Sequence, residues 1–557
     1  MAGVIAFYPD QERICKICAL CGSLRDECVV RLIYAYQFYG DWFFETQGAY
    51  DMSLTRRHFI RMGAVSGAAM VGALGFPNER GALGETTSRL PLFQPNWQSL
   101  RQYQVPDWFR DAKFGIYYHW GLYSVPAYDN EWYSRNMYIK GSAANAYHLK
   151  HYGPLLTFGY KDFAPLFKAE RFDPDEWAEL FKQAGARFAG PVAEHADGFS
   201  MWNSKVNAWN AAKMGPRRDL VGEMSQAVRR KGMKFVTTFH HQWRWGWYPT
   251  EDPTCDCSNP AFSGLYGPPL PSTAFDYSNP VPPPDEPFCK EWEGKVREVI
   301  EHYRPDLIYF DSRMAIIPAS YRMDLISHYY NQQSVWRKPV VLTYKEPDLP
   351  DGVAVEDLER GRMADISERP WMTDDAIAWN SWCYVQNLQY KSIKRLLDEL
   401  VDITSKNGCF LLDITPQADG TIPQDVRDRL LTIGNWLKVN GEAIYNTRPW
   451  RVFGEGPTPT AGGAFVEDKI KDLTPEDKRF TVKHDALYVI VMGVPQGDIT
   501  IESLKPSVHS HENAVRAITL LGSRSKIKWS ITPNGVVITP PEKIPSPYAN
   551  AFKIEFA

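Results

Sequence analysis

The 557-residue chain has almost no charge imbalance: 62 Lys and Arg stand against 66 Asp and Glu, for a formal net charge of −4 and a pI near 6.3. A chain so balanced offers no electrostatic footprint for nucleic acid or for an anionic membrane surface, so a neutral partner suits it best. No internal repeat is visible. The mildly apolar run from Gly63 to Phe76 is too short and too rich in Gly and Ala to span a membrane, which takes about 20 apolar residues. What the chain does have is length and aromatic surface. Its 44% hydrophobic content supports two folded domains and a tail. Its 14% aromatic content, with 19 Trp, supplies flat apolar rings with polar edges that suit the C–H faces and hydroxyls of sugars.

The tail comes first. Thr55-Arg56-Arg57-His58-Phe59-Ile60, just after Met52 and just before the small-residue run, has the pattern of a twin-arginine export signal. Residues 52–85 are read as that signal, which predicts a periplasmic or secreted protein. Such signals stand at an amino terminus, so translation is expected to begin at Met52 and residues 1–51 to be a non-native or disordered extension. Within that extension, Cys15, Cys18, Cys21 and Cys28 have a spacing that would suit zinc or an iron–sulfur cluster in a cytosolic protein, but no folded scaffold is evident around them. Of the other cysteines, Cys289 is expected to pair with Cys255 or Cys257 in an oxidising compartment, and Cys383 and Cys409 to be buried thiols.

Residues 86–447 alternate strand and helix patterns as a (β/α)8 barrel does. A buried strand from Phe114 to His119 leads into a loop carrying Glu131-Trp132-Tyr133. Asp173 and Pro174 start a helix with Trp177, Leu180 and Phe181 on one face. A second strand, Phe188 to Val192, ends at Glu194-His195-Ala196-Asp197, and a third, Lys234 to Phe239, ends at His240-His241-Gln242-Trp243. The Pro-rich stretch from Asp252 to Phe288 is read as a lid. A helix from Lys290 to Tyr303 precedes Leu307-Ile308-Tyr309-Phe310, which deliver Asp311 to a strand end, where an acid is costly to bury unless it is paired or reactive. Strand five is placed at Val340–Tyr344 and strand six at Val353–Leu358, where Glu356, Asp357 and Glu359 compete as rim acids. Strand seven is placed at Trp379–Tyr384, before an amphipathic helix from Lys391 to Thr404, and strand eight at Cys409–Ile414.

Several of these stretches, AKFGIYYHWG with the following EWY above all, resemble the α-L-fucosidases of glycoside hydrolase family 29, and the similarity runs from Trp108 to the C-terminus. The resemblance implies a retaining exo-glycosidase that releases terminal α-L-fucose from a fucosylated oligosaccharide or polysaccharide, with no cofactor and no metal. It implies Asp311 as nucleophile and Glu359 as acid/base, preferred to Glu356 because a general acid needs a rim position. It implies His119, Glu131, Trp132, His195, His240 and Tyr309 as contacts to the sugar. Where the family has His-His-Asp-Gly-Phe, this chain has His195-Ala196-Asp197-Gly198-Phe199, so one hydroxyl contact is expected to be missing. An α-L-galactosidase or a non-catalytic sugar-binding relative would keep the same barrel.

After Trp450 no stretch has the length or period of a barrel helix. Alternating runs around His484-Asp485 and an Asn534-Gly535 turn predict an antiparallel β-sandwich over residues 448–557. The export reading has a direct test: with export blocked, the amino terminus of the unprocessed precursor should map to Met52, and a terminus upstream of it removes that assignment.

Overall fold

The computed structural model describes residues 92–276, 282–506 and 515–557. The expected extension, the export signal and the four-cysteine cluster lie outside the described residues.

Eight parallel strands make one sheet: β1 (Phe114–Tyr118), β2 (Phe188–Glu194), β3 (Lys234–Phe239), β4 (Leu307–Phe310), β5 (Val341–Tyr344), β6 (Val355–Glu356), β7 (Trp371–Ala376) and β8 (Gly408–Ile414). Their order is β6-β5-β4-β3-β2-β1-β8-β7. A parallel bridge from Asp357 to Met372 joins the two ends, so the sheet closes into a barrel at its weakest seam. Because side chains alternate along a strand, each strand feeds two layers. Tyr117, Val192, Val236, Leu307, Tyr309, Val341, Met372 and Leu411 fill the interior. Their neighbours Ile116, Phe235, Ile308, Leu342, Phe410 and Leu412 meet the surrounding helices.

Those helices are α1 (Pro174–Gln183), α2 (Leu220–Arg230), α3 (Glu286–Tyr303), α4 (Ala319–Trp336), α5 (Ile393–Ser405) and α6 (Gln424–Asn440). Asp173 caps α1 as expected, its carboxylate accepting from the amides of Asp175 and Glu176. Among the described residues no helix lies between β5 and β6 or between β6 and β7, so the loop after β6 has no crossover helix to pack it.

Three expectations need correcting. Strand seven is not Trp379–Tyr384 but Trp371–Ala376; it carries Thr373-Asp374-Asp375 through a fully buried strand, and Asp is depleted in strands, so no apolar run marked it. Cys255, Cys257 and Cys289 are not paired: each is a buried free thiol, as are Cys383 and Cys409. The hairpin turn between β14 (Lys528–Thr532) and β15 (Gly535–Thr539) falls one residue early: Thr532 pairs with Gly535, leaving Pro533 and Asn534 at the tip. The described part of the Pro-rich stretch includes short helical turns over residues 256–258, 260–262, 263–266 and 272–275. Asp256 accepts hydrogen bonds from the Tyr138 and Tyr266 hydroxyls at 2.8 and 2.5 Å, and Leu265 and Tyr266 are buried.

The remaining strands are β9 (Arg448–Glu455), β10 (Lys478–Lys483), β11 (Ala486–Val491), β12 (Ile499–Ile501), β13 (Val515–Leu520) and β16 (Asn550–Phe556). With β14 and β15 they form a five-stranded antiparallel sheet, β13-β16-β11-β10-β9, and a three-stranded one, β12-β15-β14, which share a core of Phe480, Val489, Ile501, Val536, Ile538 and Phe552. The tip of the β10–β11 hairpin is His484-Asp485, as read from the sequence. The sandwich is fastened to the barrel through α6, where Trp436 Nε1 donates to the Ala549 carbonyl at 2.8 Å, and through α5, where Arg479 meets Asp402 at 2.6 Å.

Helix α6 also presses close to α1. A Cβ on Gly434 would lie 1.9 Å from the Gln183 carbonyl oxygen, a backbone atom that cannot rotate away. Alanine normally improves a helix over glycine by about 1 kcal/mol, whereas overpacking a core costs about 1–3 kcal/mol or more. Gly434→Ala is therefore expected to lower the midpoint of thermal unfolding; an unchanged or raised midpoint would show that the two helices can separate freely.

Candidate active site

The C-terminal ends of the barrel strands converge on a cavity of about 300 Å³. β1 delivers His119, whose backbone amide and Nδ1 both lie 2.9 Å from Asp413 Oδ1 at the end of β8, which leaves Nε2 for the cavity. β2 and β3 deliver His195 and His240, and the three imidazoles sit with ring centroids 4.8–5.3 Å apart. β4 supplies Tyr309 and Asp311, the loop after β1 supplies Glu131 and Trp132, and the loop after β6 supplies Glu359. All eight residues nominated from the sequence thus line one cavity.

The structure adds seven that were not nominated. Trp243, Ser312, Trp382, Asp374 and Phe465 also line the cavity, Asp413 holds His119, and Lys345, directly after β5, sits among the acids. Trp243 follows the third strand, Trp382 lies within residues 379–384 and Asp413 within the eighth strand, but nothing local in the sequence distinguishes them from core or rim residues. Glu356, the competing acid, is half-buried on β6 and does not line the cavity. Ala196 is buried within the apolar core and off the cavity wall, while His240 completes the imidazole set.

Lys345 organises the charges. Its Nζ lies 2.8 Å from Glu359, 3.0 Å from Asp374, 3.3 Å from Asp357 and 3.8 Å from Asp311. Asp311 has a second partner in His240 Nδ1 at 3.3 Å, and its backbone carbonyl is held by Gln242 Nε2 at 2.7 Å. Burial pushes the Asp311 carboxyl up, but contact with His240 and the Lys345 ammonium outweigh it and hold this group below the usual carboxylate range. Burial lifts Glu359 to about 7; Lys345 opposes the shift, and the charges of Asp374 and Asp311 add to it. Burial likewise raises Glu131, which accepts from the Trp382 amide at 3.2 Å, to about 7. His119 and His195 are pushed well below the ordinary imidazole value, by burial first and then by neighbouring His240. Such a site holds an ionised carboxylate and a protonated one side by side near neutral pH, with the neutral imidazoles of His119 and His195 in the same cavity.

The same imidazoles are the one set of described residues grouped as a metal ion would require, with ligand atoms within 4.8 Å of one another. Zinc holds its nitrogens at about 2.0–2.1 Å. In two of the rings one nitrogen is already engaged, by Asp413 and by Asp311.

A wider hollow of about 700 Å³ on the sandwich includes Glu442, Glu555, Lys553 and Arg516. Two of its acids are taken up in ion pairs, Glu442 with Lys553 at 2.8 Å and Glu555 with Arg516 at 3.7 Å, and the third, Asp485, stands at the tip of the β10–β11 hairpin. The barrel cavity, by contrast, sets two acids of opposed protonation, Asp311 and Glu359, beside a shared cation.

Residues 83–442 match the family described as Alpha-L-fucosidase. The chain is 30% identical to the tissue α-L-fucosidase of Rattus norvegicus over 467 residues, covering 82% of this chain and 90% of the relative. It is 30% identical to the tissue α-L-fucosidase of Homo sapiens over 477 residues, covering 83% and 91%. Among solved structures it is similar to Thermotoga maritima α-fucosidase in complex with fucose, with a TM-score of 0.66, 30% identity and coverage of 83% of this chain and all of the other. Family match, whole-length relatives and barrel architecture agree: the chain belongs to the α-L-fucosidase family.

Proposed function

We propose that the protein is an exo-acting, retaining α-L-fucosidase that removes terminal fucose from oligosaccharides or polysaccharides. The observation that carries this reading is the placement of Asp311 and Glu359 on a common Lys345 ammonium. The two legs, 3.8 and 2.8 Å, set an upper limit on the separation of those carboxylate oxygens. That limit barely reaches the lower edge of the roughly 6.5–9.5 Å spacing of inverting glycosidases and leaves room for the roughly 5–5.5 Å of retaining ones.

The opposed protonation states assign the roles. Asp311, ionised, attacks the anomeric carbon while Glu359, protonated, gives its proton to the glycosidic oxygen, so the bond to the leaving group breaks as the ester to Asp311 forms. The resulting Glu359 carboxylate then takes a proton from water, whose oxygen displaces Asp311 and restores both groups. His119, His195, His240, Glu131 and Tyr309 face the sugar and exchange hydrogen bonds with its hydroxyls, and Trp132 offers an apolar face. The fucose-bound relative supports fucose as the sugar. Faster turnover of an α-L-galactoside than of an α-L-fucoside would reassign the substrate, and sugar binding without turnover would make the protein a binding relative. Export through the twin-arginine signal fits a glycan substrate outside the cytoplasm.

Replacing Asp311 with Gly should abolish turnover, and azide should restore cleavage with inverted configuration by filling the vacated space. Glu359→Ala should lose far more rate on a fucosyl disaccharide than on a dinitrophenyl fucoside, which needs little protonation to depart, and azide should here give a product of retained configuration. Equal losses on the two substrates would remove the acid role from Glu359.

The pH profile offers a separate check. The acid must be protonated, so kcat/KM should fall as pH rises through about 7, the position of Glu359. Asp311, held low, should impose no acidic limb within the ordinary carboxylate range. The basic limb should vanish for dinitrophenyl fucoside in Glu359→Ala and persist in Glu131→Gln; the reverse pattern would assign it to Glu131.

A further inference from the structure

The connection between β9 and β10, residues 456–477, leaves the sandwich and meets the loop after β6. Gly463 and Arg362 exchange both backbone hydrogen bonds, at 2.8 and 3.1 Å, and the amides of Phe465 and Val466 donate to the carbonyls of Glu359 and Arg360 at 2.8 and 3.2 Å. Side chains lock this ladder. Glu467 takes Arg360 Nη1 at 2.6 Å and Lys391 Nζ at 3.1 Å, and Arg395 donates to the Glu467 and Ile470 carbonyls at 3.0 and 2.7 Å. The approach is close: a Cβ on Gly361 would lie 2.6 Å from the Gly463 carbonyl oxygen.

Phe465 stands within this ladder. Its φ is +52°, a left-handed conformation that bulky residues rarely adopt and that the surrounding bonds impose. The residue is 63% exposed, yet it lines the cavity that holds Asp311 and Glu359. Core packing does not explain an aromatic ring left this open on strained backbone. Its amide is bonded to Glu359 itself, so it belongs to the acid's side of the cavity. That is the side where a general acid must meet the glycosidic oxygen, and hence where the departing group lies.

We propose that Phe465 forms a leaving-group subsite, an apolar platform contributed by the sandwich domain on which the C–H face of the departing sugar rests. The inference rests on the acid role of Glu359 given above. It makes the second domain part of substrate recognition: the loop that braces the acid also presents the ring that holds what the acid releases.

The test compares two substrates that share fucose and differ in what leaves: a fucosyl disaccharide, and α-L-fucosyl fluoride, whose leaving group has no C–H face. Phe465→Gly is the variant of choice because glycine adopts the left-handed backbone at no steric cost, so its melting temperature should not fall. The ratio of kcat/KM on the disaccharide to kcat/KM on the fluoride should drop about threefold to tenfold, mainly through KM for the disaccharide, and Phe465→Trp should restore it. An unchanged ratio, or a lower melting temperature with equal losses on both substrates, would show that the ring only supports the loop and overturn the subsite. Wild-type protein that cleaves neither substrate would overturn the fucosidase reading, and the subsite with it.

Discussion

One ammonium among four carboxyl groups sets the chemistry of the barrel. Lys345 cannot neutralise Asp311, Asp357, Asp374 and Glu359 together, and buried acids this close cannot all ionise. What each keeps depends on its other partners. Asp374 accepts hydrogen bonds from the Tyr117 and Tyr309 hydroxyls at 2.9 and 3.1 Å and is held below its ordinary value against burial. Asp311 has His240. Asp357 and Glu359 have no comparable second stabiliser, and both are pushed up, Asp357 well above the usual range. The cation thus sorts the four acids into two that stay charged and two that hold protons, and Asp311 and Asp374 of the first kind and Glu359 of the second line the cavity.

That sorting is useful only if Glu359 stays where Lys345 can reach it, and the barrel alone provides little to hold it there. The loop after β6 has no crossover helix, and β6 itself is two residues long. The missing support comes from α5 and from the sandwich connection. Arg362 meets Glu399 and Asp402, Asp402 also takes Arg479 and Lys406, and Lys391 meets Asp375 and Glu467. Buried ion pairs of this sort add little net stability because desolvation offsets attraction, but an unpaired member is costly. We read the network as a device for register: a displaced acid loop would strand several buried charges at once.

The barrel was legible where its strands are apolar. β1 to β5 and β8 announce themselves as short runs of Val, Ile, Phe, Tyr and Leu, and the polar residue ending each of β1 to β4 was nominated and does line the cavity. β7 was not legible, because Trp371-Met372-Thr373-Asp374-Asp375-Ala376 carries its charges inside the strand, where only the finished cluster with Lys345 and Lys391 makes them tolerable. Lys345 was missed for the same reason: a lysine after a strand reads as a solvated end, and its burial follows from acids supplied by three other segments. Phe465 had no local signal at all, since its meaning comes from a contact between residues 359 and 465 across two domains.

The cavity's two sides differ in kind. The imidazoles of His119 and His195 are driven neutral by burial and by neighbouring His240, so on the proposed mechanism they offer the sugar's hydroxyls hydrogen bonds without net charge, as a neutral ligand requires. On the same mechanism the reacting carbon meets the ionised Asp311 and the cluster around Lys345. On the proposed mechanism the ground state therefore draws mainly on hydrogen bonds, while the oxocarbenium-like transition state, which alone carries developing positive charge, meets a carboxylate already in place. Interactions that strengthen only as charge develops lower the barrier instead of deepening substrate binding. On that mechanism the neutral imidazoles of His119 and His195 serve recognition, and the charges gathered around Lys345 serve catalysis.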